Sequence, residues 1–112
     1  MNFKQLLFIA FTVLVPLTAF ASPDFWIDVR SDQEYAESHL PGAIHIPFDT
    51  VMEKVSVLTS DKNAEIYLYC RSGHRAGIAL KSMQAMGYTN VKNIGGLTAA
   101  LKLEASIKKA LQ

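Results

Sequence analysis

The chain has 112 residues, of which 50% are hydrophobic and 19% are charged, with a formal net charge of +1 and a single cysteine. This length allows at most one domain, and the balance of 11 basic against 10 acidic side chains gives no electrostatic basis for nucleic-acid binding. A single cysteine excludes both an internal disulfide and a zinc cluster of two or four cysteines.

The first 21 residues have the composition of a leader. They contain 15 apolar residues and one charge, Lys4. A basic start, an apolar run and the small-x-small triplet 19–21 form the three-part pattern of a secretory signal peptide, so we expect cleavage after Ala21. An uncleaved membrane anchor is the alternative, because the uncharged stretch could span a bilayer of about 30 Å, but Pro16 and the triplet argue against it. The expected product is an exported, periplasmic domain over 22–112 without stable membrane association.

The mature chain opens with a strand and a helix. An apolar run over 25–29, broken by one Asp, predicts a buried strand. Ser31 and Glu34 form a capping box, which predicts a helix that ends before Leu40. A second short strand is predicted over 43–46.

A second helix and the clearest strand follow. Thr50 and Glu53 form another capping box. The helix behind it is expected to turn three apolar residues inward, namely Val51, Val55 and Leu58. The run 65–69 predicts a third strand, which ends directly at Cys70.

The last third of the mature chain continues the alternation. A helix is predicted over about 76–86, with Gly87 as the residue that ends it. Its expected apolar contacts are Ile78, Leu80, Met83 and Met86. A fourth strand over 91–94 is closed by two glycines, and 97–112 is expected to be helical, in one or two pieces. Strands that alternate with helices predict right-handed crossovers and a parallel sheet covered on both faces, which is the α/β class.

The six residues from Cys70 to Arg75 lie where open α/β sheets bind ligands, at the carboxyl end of a strand and before a helix. Backbone N–H groups at a helix start favour an anion, so a thiolate there should have a pKa below its reference of about 8.5, and the arginines should lower it further. Gly73 lets the backbone curl around the sulfur. These features of the loop predict that Cys70 is reactive and that Arg71 and Arg75 hold a small anionic substrate. The competing interpretation is an inert, buried cysteine.

Several stretches match one family. The loop 70–75 fits the pattern Cys-Arg-x-Gly-x-Arg at every fixed position. Further agreement lies at Asp28-Val29-Arg30, Glu34-Tyr35, the segment 39–47, Gly87-Tyr88 and Gly95-Gly96-Leu97. Together these stretches resemble the rhodanese-domain sulfurtransferases over essentially the whole mature chain, and the short exported form is similar to the periplasmic single-domain members of that family.

The resemblance implies a single rhodanese-like domain and a thiosulfate sulfurtransferase. Cys70 would attack the outer sulfur of thiosulfate, release sulfite and hold a persulfide, which cyanide or a periplasmic thiol then removes. The cradle for substrate and thiolate would comprise Arg71, Ser72, Gly73, His74 and Arg75. Asp28 and Arg30 would support the loop from beneath, although an ordinary salt bridge at a strand end is the alternative. No cofactor or metal is implied, and His39 and His45 lack the spacing of a metal pair.

Two alternative functions remain. A persulfide carrier would receive sulfur from one protein and deliver it to another with little turnover on thiosulfate; the two arginines favour the enzyme, because a carrier needs no anion clamp. A phosphatase or arsenate reductase with a Cys-thiolate loop places one residue more between Cys and Arg than the four found here. The shorter loop suits a single sulfur better than a tetrahedral phosphate.

Overall fold

Four parallel strands form the sheet on which the helices pack, in a computed structural model that describes residues 22–112. In chain order they are β1 (Phe25–Asp28), β2 (Ile44–His45), β3 (Ile66–Cys70) and β4 (Val91–Gly96). Side by side they lie in the order β2-β1-β3-β4, and every neighbouring pair is parallel. The predicted signal peptide over 1–21 lies outside the described residues.

Helices follow the strands along the chain: α1 (Asp32–Glu37), α2 (Val51–Leu58), α3 (His74–Ala85) and α4 (Leu97–Ala110). A 3-10 turn, Phe48–Thr50, leads into α2. The last helix is a single piece, and Lys108 and Lys109 lie in its last turn, where cations oppose the negative end of the helix dipole. Between residues 22 and 112, no helix is long and apolar enough to cross a membrane.

Alternation along β3 sends successive side chains to opposite faces of the sheet. Leu68 and Cys70 join the core cluster that contains side chains of α2 and α3. Tyr67 and Tyr69 join the cluster on the other face, together with Trp26 and side chains of α4. Helices therefore cover both faces, which confirms the predicted α/β class. Cys70 lies on the face covered by α3.

The predicted capping box of α1 is formed, whereas that of α2 is not. Ser31 Oγ accepts the Glu34 backbone N–H at 3.2 Å, and Glu34 Oε1 accepts the Ser31 N–H at 3.1 Å. At α2 the Thr50 hydroxyl donates to the Pro47 carbonyl at 2.9 Å, and no side chain caps the helix. The box predicted for Thr50 and Glu53 was therefore wrong, because the 3-10 turn engages the hydroxyl before the helix begins.

The helix after the loop begins at His74, two residues earlier than predicted, with Gly73 as its N-cap at φ +101°. Its fully buried residues are Ala76, Ala79 and Met83. Ile78, predicted as an inner contact, is 40% exposed, because at about 100° per residue it points away from Ala76. Gly87 has φ +97° just past the end of α3, which confirms it as the residue that ends the helix.

The fourth strand runs two residues further than predicted. A register shift between Leu68 and Tyr69 of β3 lets Gly95 pair with Tyr69 and Gly96 pair with Cys70. The two glycines therefore continue β4 instead of closing it. Their backbone lies beside Cys70, where β3 ends.

Candidate active site

Cys70 is the last residue of β3 and lies at the carboxyl edge of the sheet. Its side chain is buried in the core on the α3 side. The Gly73 N–H donates to Cys70 Sγ at 2.9 Å. The backbone N–H groups of Ser72, Arg75 and Ala76 also act on the sulfur, and each of them lowers the pKa of Cys70. Because N–H groups at a helix start carry partial positive charge, this arrangement can hold an anionic sulfur.

Two opposing effects set the pKa of Cys70. Burial is the largest single effect and works to raise the pKa of the thiol. The backbone N–H donors act in the opposite direction and together outweigh burial, so the pKa lies below the ordinary value of a thiol. The sulfur is therefore more readily present as the thiolate, which is the nucleophilic form of cysteine.

This lowered pKa predicts the pH dependence of alkylation. The rate constant for modification of Cys70 by iodoacetamide is expected to reach half its plateau at a pH below about 8.5, the midpoint of an ordinary thiol. Mass spectrometry of samples quenched across the pH range measures the profile. The same protein unfolded in guanidinium is the control, and its midpoint should return to the ordinary value. A native midpoint equal to or above the unfolded one would contradict the donor geometry.

The loop is also held from β4, by Asn93. Its Nδ2 donates to the Gly73 carbonyl at 2.9 Å, while its Oδ1 accepts the Gly95 N–H at 2.9 Å. Asn93 therefore connects the bulged end of β4 to the residue whose N–H contacts Cys70 Sγ. The sequence placed Asn93 in a strand without a role. Its only signal was its residue type, because Asn is depleted in strands.

Arg75 is engaged by an acid from α1. Its Nη1 lies 2.7 Å from Glu34 Oε1 and its Nη2 lies 3.0 Å from Glu34 Oε2. Arg71 is a looser neighbour, with its Nη1 3.6 Å from Glu34 Oε2 and its side chain 79% exposed. The hydrogen bonds from Arg75 are the largest effect on the pKa of Glu34 and hold it well below its usual range. Of the two arginines, Arg75 is therefore fixed and Arg71 is accessible.

Asp28 and Arg30 form a buried ion pair where β1 ends. Arg30 Nη2 lies 2.7 Å from Asp28 Oδ2, and Arg30 Nε contacts both carboxylate oxygens at 3.0 and 3.1 Å. The same Nη2 donates to the Ser38 carbonyl at 2.6 Å. The guanidinium also lies 5.5 Å from the centre of the Tyr69 ring. The pair therefore connects the end of β1 with β3 and the chain after α1.

Two clefts adjoin the arginines. The larger, about 630 Å³, lies between α1 and the start of α4, and Arg71, Glu34 and Lys102 line it. The smaller, about 320 Å³, lies beside Arg75 and Pro47. Arg30 lines both clefts. Small ligands can therefore approach the loop from either side of the Arg75 and Glu34 pair.

The histidines outside the loop are packed in an aromatic stack. His39 and His45 lie against Tyr35, with ring centroids 3.7 and 4.5 Å from its own. His45 Nε2 is also 2.8 Å from the Arg30 carbonyl. In the described part of the chain, no three His, Cys, Asp or Glu side chains are grouped as a metal site requires.

The family model for the rhodanese-like domain matches residues 17–102. The chain belongs to the rhodanese-like domain family. Thiosulfate sulfurtransferase PspE of Escherichia coli (strain K12) is 39% identical over 89 residues, which are 80% of this chain and 85% of that protein. The putative sulfur carrier protein YrkF of Bacillus subtilis (strain 168) is 38% identical over 68 residues, 61% of this chain and 36% of that protein.

Solved structures agree with this assignment. A structure described as rhodanese with anions from E. coli superposes with a TM-score of 0.64 at 41% identity, over 67% of this chain and 88% of that one. A rhodanese-like domain protein from Staphylococcus aureus superposes with a TM-score of 0.61 at 30% identity, over 72% of this chain and 76% of that one. The predicted family, the predicted fold and the predicted rhodanese-type enzyme are confirmed.

Three of the predicted loop residues, Ser72, Gly73 and Arg75, contribute backbone N–H groups to the surroundings of the Cys70 sulfur. Ser72 and His74 have exposed side chains. Ala76 supplies a further N–H donor that the prediction, which ended at Arg75, did not include. Glu34 was identified as a capping residue and as part of a stretch that matches the family, but not as the partner of Arg75, because nothing in the local sequence indicates which residue of α3 it meets.

Gly96, the last residue of β4, allows the backbone of β4 to pass close to that of Arg71 in the loop. A Cβ at this position would lie 2.3 Å from the Arg71 carbonyl oxygen. Gly96→Ala is therefore expected to lower the free energy of unfolding by about 1–3 kcal/mol, as overpacking does, and to slow alkylation of Cys70. Urea unfolding measures the first effect. Gly77→Ala is the matched control, since its Cβ would meet Asn93 Nδ2 at an ordinary 3.6 Å. Equal stability of the two variants would contradict the expected clash.

Proposed function

We propose that the protein transfers the outer sulfur of thiosulfate, by way of a persulfide on Cys70, to a thiophilic acceptor such as cyanide or a thiol. The observation that carries the proposal is the buried Cys70 sulfur held by backbone N–H groups at the start of α3. Similarity to a thiosulfate sulfurtransferase over 80% of the chain supports thiosulfate as the donor.

The reaction has two halves. The Cys70 thiolate attacks the outer sulfur of thiosulfate; a new sulfur–sulfur bond forms, the original one breaks, and its electron pair leaves with sulfite. The acceptor then attacks the terminal sulfur of the persulfide and the Cys70 thiolate leaves, so that cyanide becomes thiocyanate. A covalent intermediate divides one transfer into two easier steps. Each half breaks one bond to sulfur as it forms another, and neither needs a cofactor.

The N–H cradle stabilises the charge that appears on sulfur in both halves. The thiolate is anionic before the first attack, and the terminal sulfur of the persulfide is anionic after it. In other enzymes, removing one such donor costs on the order of 3 kcal/mol of transition-state stabilisation. Because the backbone N–H groups of Ser72, Gly73, Arg75 and Ala76 act on the same sulfur, we expect the cradle to make the largest single contribution to catalysis.

Among the loop side chains, Arg71 is the best placed to bind the donor. Arg71 is exposed and only loosely paired, so it is free to contact the sulfonate oxygens of thiosulfate. Both terminal nitrogens of Arg75 already donate to Glu34, which favours a role for Arg75 in holding the loop in place. His74 is an exposed residue of the loop. Asp28 and Arg30 hold the neighbouring strand end.

Ping-pong kinetics test the proposal. Initial rates of thiocyanate formation, measured with varied thiosulfate at several fixed cyanide concentrations, should give parallel lines in a double-reciprocal plot. Converging lines would exclude a free persulfide intermediate. Absence of thiocyanate from fully reduced protein would exclude the thiosulfate:cyanide reaction itself.

A sulfur carrier is the second candidate, because a putative sulfur carrier protein shares 38% identity with 61% of this chain. A carrier would acquire a persulfide from a protein donor yet release thiocyanate slowly when thiosulfate is the only donor. Parallel assays with a cysteine desulfurase and with thiosulfate separate the two functions. Faster loading from thiosulfate supports the enzyme.

We further propose that the leader predicted over 1–21 directs the protein out of the cytoplasm, so that a periplasmic thiol would serve as the acceptor. N-terminal sequencing of protein recovered from a periplasmic extract tests this placement. Ser22 is expected as the first residue. A product that begins at Met1 would contradict cleavage and support the membrane-anchor alternative.

A further inference from the structure

We propose that Glu34 is a positioning residue for the sulfur transfer: it fixes the Arg75 side chain to α1 and thereby holds the start of α3 in place around the Cys70 sulfur. This inference deepens the proposed function and rests on it. Glu34 is not among the groups that act on the Cys70 sulfur, so it acts through Arg75.

Glu34 is a rigid partner because its own helix holds it. Its Oε1 accepts the Ser31 N–H at 3.1 Å and the Ser31 hydroxyl at 3.0 Å, while Ser31 Oγ accepts the Glu34 N–H at 3.2 Å. The carboxylate is therefore oriented before Arg75 reaches it. Only 18% of the Glu34 side chain and 25% of the Arg75 side chain are exposed, so solvent competes little for the pair.

Arg75 connects the rigid Glu34 carboxylate to the backbone N–H groups around the Cys70 sulfur. Its guanidinium forms two parallel hydrogen bonds to Glu34, at 2.7 and 3.0 Å, the geometry that restricts an arginine most. Its backbone N–H and that of Ala76 are among the donors to Cys70. Fixing the side chain therefore fixes the direction of these N–H groups. A loop with this side chain released would misalign them, and displacement of about 1 Å costs on the order of 100-fold in rate.

The charge of Glu34 and its positioning role have opposite consequences for Cys70. Removing a nearby negative charge favours a thiolate, so a purely electrostatic role predicts a lower pKa of Cys70 in a Glu34 variant. Loss of positioning weakens the N–H donors, so our proposal predicts a higher pKa. A merely structural role leaves the pKa of the folded protein unchanged. The direction of the change therefore distinguishes three explanations.

Glu34→Gln is the variant that tests this, because a capping box accepts Gln at this position and α1 should persist. The alkylation profile of Cys70 is expected to move to higher pH, and kcat/KM for thiosulfate to fall about 10- to 100-fold. Arg75→Lys, which keeps the charge but loses the paired hydrogen bonds, should shift the profile in the same direction. In the Arg75→Ala background, Glu34→Gln should cause no further shift to higher pH, since its positioning effect passes through Arg75.

Glu37→Ala is the matched control, because it removes an equal charge from the same helix and the same cleft. Its alkylation profile should stay within error of the wild type. A profile that is unchanged or moves to lower pH in Glu34→Gln would overturn the proposal, and so would a further shift to higher pH in the Arg75→Ala background. Alkylation does not require thiosulfate, so this result stands apart from any failure of the sulfur-transfer proposal.

Discussion

Cys70→Ser is expected to abolish thiocyanate formation, with a loss on the order of 10⁵-fold, because loss of a covalent nucleophile removes the reaction path. A serine hydroxyl is not ionised near neutral pH and cannot form a persulfide. The serine is nearly isosteric with the cysteine, so the variant should fold. Thiocyanate release from thiosulfate and cyanide measures the loss, and far-ultraviolet circular dichroism checks the fold.

The matched control for this variant is a protein whose single thiol stands at a different position. Ser56 is exposed on α2. In the Cys70→Ser background, Ser56→Cys returns one thiol to the protein without the N–H donors. This double variant should remain inactive and should alkylate with the pH midpoint of an ordinary thiol, about 8.5. Recovery of activity would mean that the cradle contributes little, and activity in Cys70→Ser alone would exclude Cys70 as the nucleophile.

Asp28→Ala is expected to lower the free energy of unfolding by about 3–5 kcal/mol. The Asp28 side chain is fully buried and Arg30 is 6% exposed, so the substitution leaves a buried guanidinium without its carboxylate. Urea unfolding followed by tryptophan fluorescence is a suitable measurement, because Trp26 lies in the core. A loss below about 1 kcal/mol would place the pair among ordinary surface ion pairs.

A double variant separates the effect of the buried charges on stability from the effect of the volume that the two side chains fill. Asp28→Leu combined with Arg30→Met removes both charges together, and replacement of a buried pair by apolar residues is often neutral. The double variant should therefore recover most of the stability that Asp28→Ala loses. If it is as unstable as Asp28→Ala, packing and not the unpaired charge explains the loss. Glu37→Ala, an exposed acid, should change stability by less than about 0.5 kcal/mol.

Sequence alone predicted the features that depend on neighbouring residues. The strands and helices followed from short apolar runs, and the α1 capping box followed from Ser31 and Glu34, which are one turn apart. The loop was predicted because Cys70 ends a strand and a helix follows directly. In each case the residues that define the feature are contiguous, so their spacing is sufficient.

The features that sequence did not predict depend on contacts between distant segments. Arg75 and Glu34 are 41 residues apart, and only the packing of α1 beside the start of α3 makes them meet. Asn93 reaches Gly73 because a bulge shifts β4 by one residue against β3. Local rules also failed where two of them compete, as at Thr50, whose hydroxyl serves the preceding turn and not the helix.

The most direct test of the account is the intact mass of residues 22–112 after incubation with thiosulfate under non-reducing conditions. The wild-type protein is expected to gain the mass of one sulfur atom, to lose it again when cyanide is added, and to show no gain as Cys70→Ser. An unchanged wild-type mass, in protein whose Cys70 remains reduced and open to alkylation, would contradict the persulfide mechanism.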